Sequence, residues 1–163
     1  MRFHLVDRIL EVEAGKSLRA VKHLTLGEEY LADHFPTFPV MPGVLMLQTL
    51  VEAGSWLMRL THDFDRSVWV LREAKNVKYG TFMPPGQKLT VTVELVKDEN
   101  GLAMLKGRGE TDGGQTVSAQ FTLAGYNLRD RRPDGADRDE RLVKQLRAQY
   151  ELLRGEPATA AMV

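Results

Sequence analysis

The stretch Val44-Leu45-Met46-Leu47-Gln48-Thr49-Leu50-Val51-Glu52-Ala53-Gly54-Ser55-Trp56-Leu57-Met58-Arg59-Leu60 decides the fold of this chain. Val44, Leu47, Val51, Gly54 and Met58 recur every three or four residues, the period of a helix face. Leu45, Leu50 and Leu57 then widen the stripe until little of the helix is left polar. Pro42-Gly43 opens it and Thr61-His62-Asp63 closes it, a length of about four to five turns. A helix this apolar needs other elements to wrap it.

The flanks supply them. Ser17-Leu18-Arg19-Ala20-Val21-Lys22-His23-Leu24-Thr25 alternates apolar and polar residues roughly in twos after a turn at Ala14-Gly15-Lys16, and reads as a strand. Beyond the helix, residues 67–79, 87–97, 102–109 and 116–126 are strand-like. Pro84-Pro85-Gly86, Asn100-Gly101 and Asp112-Gly113-Gly114 separate them, the last two as hairpin signals. Strands, one apolar helix, then hairpin-linked strands predict an α+β fold with an antiparallel sheet curled around the helix.

After Tyr126 the composition changes to a polar linker, Arg129-Asp130-Arg131-Arg132-Pro133-Asp134-Gly135, followed by a charged helical segment. Leu142, Val143, Leu146, Tyr150 and Leu153 give that segment a narrow apolar stripe, which docks on the core or on a neighbouring subunit. Asp137 and Asp139 suit the positive end of the helix. Residues 1–126 are thus read as the main domain, and 127–163 as a charged linker and helix ending in an Ala-rich tail, Ala158-Thr159-Ala160-Ala161, expected to be disordered.

Composition removes several classes of function. With 22 basic and 22 acidic residues the formal net charge is zero, so nucleic acid is not the expected partner. There is no cysteine, which excludes disulfides, thiolate catalysis and Cys-ligated metals. His4, His23 and His62 lack metal-ligand spacing and are read as structural or surface residues. No stretch approaches the roughly 18 apolar residues of a membrane span, and the first eight residues lack a signal peptide's apolar core; a cytoplasmic location is expected.

The residues that carry chemistry precede the helix: His34-Phe35-Pro36-Thr37-Phe38-Pro39-Val40-Met41-Pro42-Gly43. Three prolines remove backbone donors and restrict their predecessors, so this is an ordered loop. A stiff loop holds His34 in one orientation, and imidazole titrates where proton transfer at neutral pH needs it. Gly43, at the helix start, offers a free amide to a developing oxyanion such as a polarised thioester carbonyl.

Here the chain resembles the 3-hydroxyacyl-acyl-carrier-protein dehydratases of fatty-acid synthesis, over about residues 2–126. Residues 3–8, Leu18-Arg19-Ala20-Val21-Lys22, His34-Phe35-Pro36, Pro39-Val40-Met41-Pro42-Gly43-Val44-Leu45, Ala74-Lys75-Asn76-Val77-Lys78-Tyr79 and Pro84-Pro85-Gly86 carry the likeness. The resemblance implies a hot-dog fold and dehydration of a 3-hydroxyacyl thioester to its trans-2-enoyl product, without metal or redox cofactor. It implies a homodimer, with a trimer of dimers as the higher assembly, and acyl carrier protein with its phosphopantetheine-linked chain as partner. His34 falls on the histidine that takes the C2 proton, and Gly43 on the glycine whose amide polarises the carbonyl. Phe35, Pro42, Val44, Phe82 and Met83 are the expected substrate-binding residues. Met41, Met46 and Met58 suit either the acyl tunnel or the core.

One position departs from the family. The helix carboxylate that assists departure of the C3 hydroxyl, contributed by the other subunit, falls on Gln48, whose amide orients a hydroxyl but delivers no proton. Glu52 stands one turn later, where many relatives have glutamine. Residues four apart share a helix face at about 6 Å, so Glu52 is expected to face the same cavity and replace the acid, directly or through a water. Its other reading is a charge at the dimer seam or a partner of Arg59. Asp33 and Thr37 stand where the family usually has glycine. Arg72, Lys75 and Lys78 offer a basic edge to an acidic carrier. Beside dehydration stand two further readings: a non-catalytic paralogue binding acyl carrier protein or a partner subunit, and a thioesterase, against which the histidine loop argues.

Overall fold

The apolar stretch is a helix, α1 (Gly43–Thr61), in the computed structural model, which describes residues 4–155. Trp56, Leu50, Leu57 and Met58 are fully buried, each burial contributing roughly 1.5–3 kcal/mol. Six antiparallel strands wrap it: β1 (Arg8–Glu13), β2 (Ser17–His23), β3 (Val68–Tyr79), β4 (Lys88–Glu99), β5 (Leu102–Thr111) and β6 (Gly114–Tyr126). Their order in the sheet is β1-β2-β4-β5-β6-β3. The alternation of the strands supplies the inner face: Leu89, Val91 and Val93 from β4, Ala103 and Leu105 from β5, Val117, Ala119, Phe121 and Leu123 from β6.

The helix sits close to this face because two glycines let it. A Cβ on Gly54 of α1 would stand 2.9 Å from the Phe121 ring, and one on Gly107 of β5 would stand 3.1 Å from the same ring and 3.2 Å from Leu50. The hairpins form where expected. Asn100 and Gly101 both have positive φ, 53° and 78°, as a two-residue turn between β4 and β5 requires. Thr111 pairs with Gly114 across the second turn.

The charged C-terminal segment is α2 (Gly135–Leu153), and it docks on its own chain. Leu153 is buried, and the Tyr150 ring lies 6.3 Å from that of Trp56. Arg147 reaches Asp63 at 2.9 Å and stacks over Phe64 at 4.4 Å. Asp139 does more than complement the helix dipole. Fully buried, it accepts from the amides of Leu128 at 2.8 Å and Arg129 at 3.0 Å, from the Arg129 guanidinium at 3.3 Å, and from the Ser67 hydroxyl. Burial raises its pKa, but the Ser67 hydroxyl, the two amides and Arg129 outweigh that and bring it down to about 2. The linker is thereby folded onto the start of β3. The Ala-rich tail lies outside the described residues.

Candidate active site

The loop expected to hold the histidine is closed on itself. A 3-10 turn, Glu29–Ala32, leads into it, and the Tyr30 carbonyl accepts the His34 amide at 3.2 Å. The His34 carbonyl accepts the Val40 amide at 3.2 Å, and Phe35 accepts from Phe38 at 2.9 Å. The His34–Phe35 peptide bond is cis. The Met41 amide donates to the Met83 carbonyl at 2.9 Å, tying the loop to the chain before β4.

This frame dictates the imidazole's chemistry. His34 Nδ1 stands 3.0 Å from the Val40 carbonyl oxygen, which accepts only, so Nδ1 carries the proton of the neutral ring. Nε2 is left with its lone pair, the form a base requires. His34 is half-buried, and the Phe35 ring lies 4.3 Å from the imidazole.

Gly43 begins α1 as expected. The Pro42 carbonyl takes the amides of Leu45 at 2.9 Å and Met46 at 3.2 Å, and among the described residues the amides of Gly43 and Val44 have no acceptor. They form the positive end of a 19-residue helix. Glycine is needed here for a second reason: a Cβ would stand 3.0 Å from the Tyr79 ring. Tyr79 was legible only as part of the family resemblance; nothing local marks it as Gly43's neighbour.

Around this end of α1 lies an apolar rim. Phe35, Phe38, Val44, Tyr79 and Phe82 are each half exposed or more, with Phe38 edge-on to Phe82 at 5.8 Å. Pro42 is half-buried beside them. An exposed apolar cluster of this kind is a candidate binding face. Met83 stands apart from the other substrate-binding candidates, because its side chain is fully buried in the core and its carbonyl anchors the loop. Met41, Met46 and Met58 are core residues too.

Gln48 and Glu52 part company. Gln48 is exposed. Glu52 is half-buried, accepts the Leu5 amide at 2.9 Å, and lines a crevice of about 510 Å³ between α1 and α2 with His4, Trp56, Arg59 and Gln149. The expectation that both face one cavity is therefore not met within this chain. Four residues overshoot a 3.6-residue turn by about 40°, and on that side the N-terminal segment and α2 cover the helix. Burial raises the Glu52 pKa, opposed by the Leu5 amide, His4 and Arg59. Burial likewise lowers Arg59 to about 10, opposed by Glu52. Glu52 and Arg59 share this crevice and act on each other by charge, but no ion pair joins them among the described residues, and the buried Arg59 Nε has no hydrogen-bond partner there.

A long buried helix wrapped by a single antiparallel sheet defines the hot-dog class. Solved structures share it: the dehydratase heterocomplex ApeI:P from Xenorhabdus doucetiae superimposes with TM-score 0.63 at 13% identity, covering 76% of this chain and 84% of that one. A hot-dog-like protein from Thermanaerovibrio acidaminovorans gives 0.58 at 15% identity over 83% and 93%. Within that class the FabA-like domain matches residues 1–120, and the chain belongs to this family. It is 40% identical over 126 residues to the 3-hydroxyacyl-[acyl-carrier-protein] dehydratase FabZ of Albidiferax ferrireducens, covering 75% of this chain and 83% of the relative. To the FabZ of Bacillus subtilis it is 33% identical over 122 residues, 75% and 86% of the two chains. Helix α2 lies beyond the residues matched to the family domain.

Proposed function

We propose that this protein dehydrates 3-hydroxyacyl chains, held as thioesters on acyl carrier protein, to trans-2-enoyl thioesters in fatty-acid synthesis. The observation that carries this reading is His34, its Nδ1 held on the Val40 carbonyl and its Nε2 without a partner among the described residues, in the loop that runs into the start of α1, where the amides of Gly43 and Val44 likewise have no acceptor among the described residues. Family membership supplies the substrate class.

The Gly43 amide polarises the thioester carbonyl and makes the C2 proton acidic. His34 Nε2 takes that proton. The electron pair left on C2 becomes the C2–C3 double bond as the C3–oxygen bond breaks. The proton on His34 passes to the departing hydroxyl, which leaves as water. Gln48 holds the hydroxyl by its amide and gives up no proton, so one imidazole serves as base and then as acid. Glu52, with its carboxylate on the Leu5 amide, braces the helix.

The functional unit is a homodimer, in which Gln48 of one subunit approaches the histidine of the other, with a trimer of dimers as the higher assembly. The apolar rim and the twelve-residue edge strand β3 support this, since both are left open in the single chain. Phe35, Pro42, Val44 and Phe82 receive the acyl chain, with Met83 packed beneath. Exposed Arg72, Lys75 and Lys78 on β3 meet the acidic carrier. The proposed place of work is the cytoplasm.

Pure protein incubated with 3-hydroxyacyl carrier protein tests this. Enoyl product without free thiol, lost in His34→Ala, is the expected result. Thiol release would instead identify a hydrolase, and silence with folded protein a binding paralogue.

A further inference from the structure

Strand β2 holds a charge where the sheet calls for an apolar side chain. Leu18, Ala20 and Lys22 share one face of the strand, and all three are buried, Lys22 to 5% exposure. Burying an ammonium costs several kcal/mol, and an ion pair in its place gains little over a hydrophobic residue of the same size. A stability role alone does not account for it.

One of its partners heads the turn that leads into the histidine loop. Lys22 Nζ stands 2.7 Å from Glu28 Oε1 and 3.5 Å from Asp7 Oδ1. Asp7 is itself held by the His23 amide, donating at 2.6 Å. Glu28 caps the 3-10 turn Glu29–Ala32, and its carbonyl accepts the Leu31 amide at 3.0 Å. The next residue but one, Tyr30, accepts the His34 amide. Burial, then the charges of Glu28 and Asp7, push the Tyr30 hydroxyl well above its ordinary pKa, which places that ring among the same carboxylates.

We propose that Lys22 is a positioning residue for the reaction: through Glu28 and the turn it heads, Lys22 fixes the backbone of His34 and so the direction of Nε2. This rests on the dehydratase reading above for its kinetic consequence, but not for its structural one. Lys22 touches neither substrate nor imidazole. Its removal therefore acts on the chemical step and leaves substrate affinity alone.

The test is Lys22→Met in the full-length protein, with two readouts. Turnover of 3-hydroxyacyl carrier protein is expected to show kcat lowered about tenfold with KM within twofold. Nitrogen-15 NMR of His34 reports the ring without any turnover, and is expected to change from the single Nδ1–H tautomer to a mixture. Lys22→Arg, which can still reach Glu28, is expected to restore both. Should Lys22→Met fail to fold, Lys22→Met with Glu28→Gln removes both charges and serves in its place. An unchanged kcat with unchanged ring signals overturns the proposal, as does a rise in KM alone. If the wild type turns over no 3-hydroxyacyl substrate, the dehydratase reading fails while the NMR arm still decides the positioning role.

Discussion

The two ends of α1 are finished in opposite ways. At its start, the amides of Gly43 and Val44 and the Nε2 of His34 have no partner among the described residues, and five apolar side chains stand half exposed or more. From its middle to its far end, Glu52, Trp56 and Arg59 lie under α2 and the N-terminal segment, and the one carboxylate of the helix is engaged by a backbone amide. An unfinished surface marks the end where another molecule is received, and a finished one the end that holds the helix still. A carboxylate one turn from the expected position is not thereby a catalytic acid; the company it keeps decides.

The largest effect that can break this contrast is at the open end. His34→Ala is expected to lower kcat at least about 10³-fold, within the range of a lost acid–base group, with the melting temperature nearly unchanged. A comparable loss of stability would make the loop histidine structural. At the closed end the large effect is on stability instead. Asp139→Ala strips the acceptor from two amides, a guanidinium and a hydroxyl, and is expected to cost about 3 kcal/mol while kcat per folded molecule holds. Chemical denaturation with parallel kinetics checks both.

Asp139 also gives the closed end a pH dependence. Its pKa falls from 3.8 in the free residue to about 2 in the fold, so its stabilisation is complete above about pH 4 and is lost as pH drops toward 2. Protection of α2 amides against hydrogen exchange should fade over that window in the wild type and show no such dependence in Asp139→Asn.

Much of this contrast was legible beforehand, and the part that was not has a common cause. The 3.6-residue period of Val44–Leu60, the turn at Asn100-Gly101 and the proline-pinned His34 loop are local patterns, and each predicts its own conformation. Glu52 meets its amide partner 47 residues away, and Asp139 reaches Ser67 across 72. Helix periodicity puts Glu52 near Gln48 but says nothing of which neighbours cover it. Asp139 reads as an ordinary charge in a first turn, and Lys22 as one polar residue in a strand alternating in twos. Their burial is a property of the assembled sheet and helix alone.

A smaller effect sharpens the comparison from the open side. Gln48→Glu puts a carboxylic acid at the position proposed to hold the hydroxyl, and is expected to raise kcat about 10²-fold, the lower end of acid catalysis. An unchanged rate would place Gln48 away from the substrate.

The smallest expected effect bears most directly on the central claim, that the reaction runs at the open end without the helix carboxylate. The measurement is kcat of Glu52→Gln on 3-hydroxyacyl carrier protein, at a folded fraction verified for the same sample. A value within about twofold of wild type, with about 1 kcal/mol of stability lost from the weakened bond to Leu5, is the predicted result. Loss of enoyl formation in a folded variant would contradict it and make Glu52 the acid.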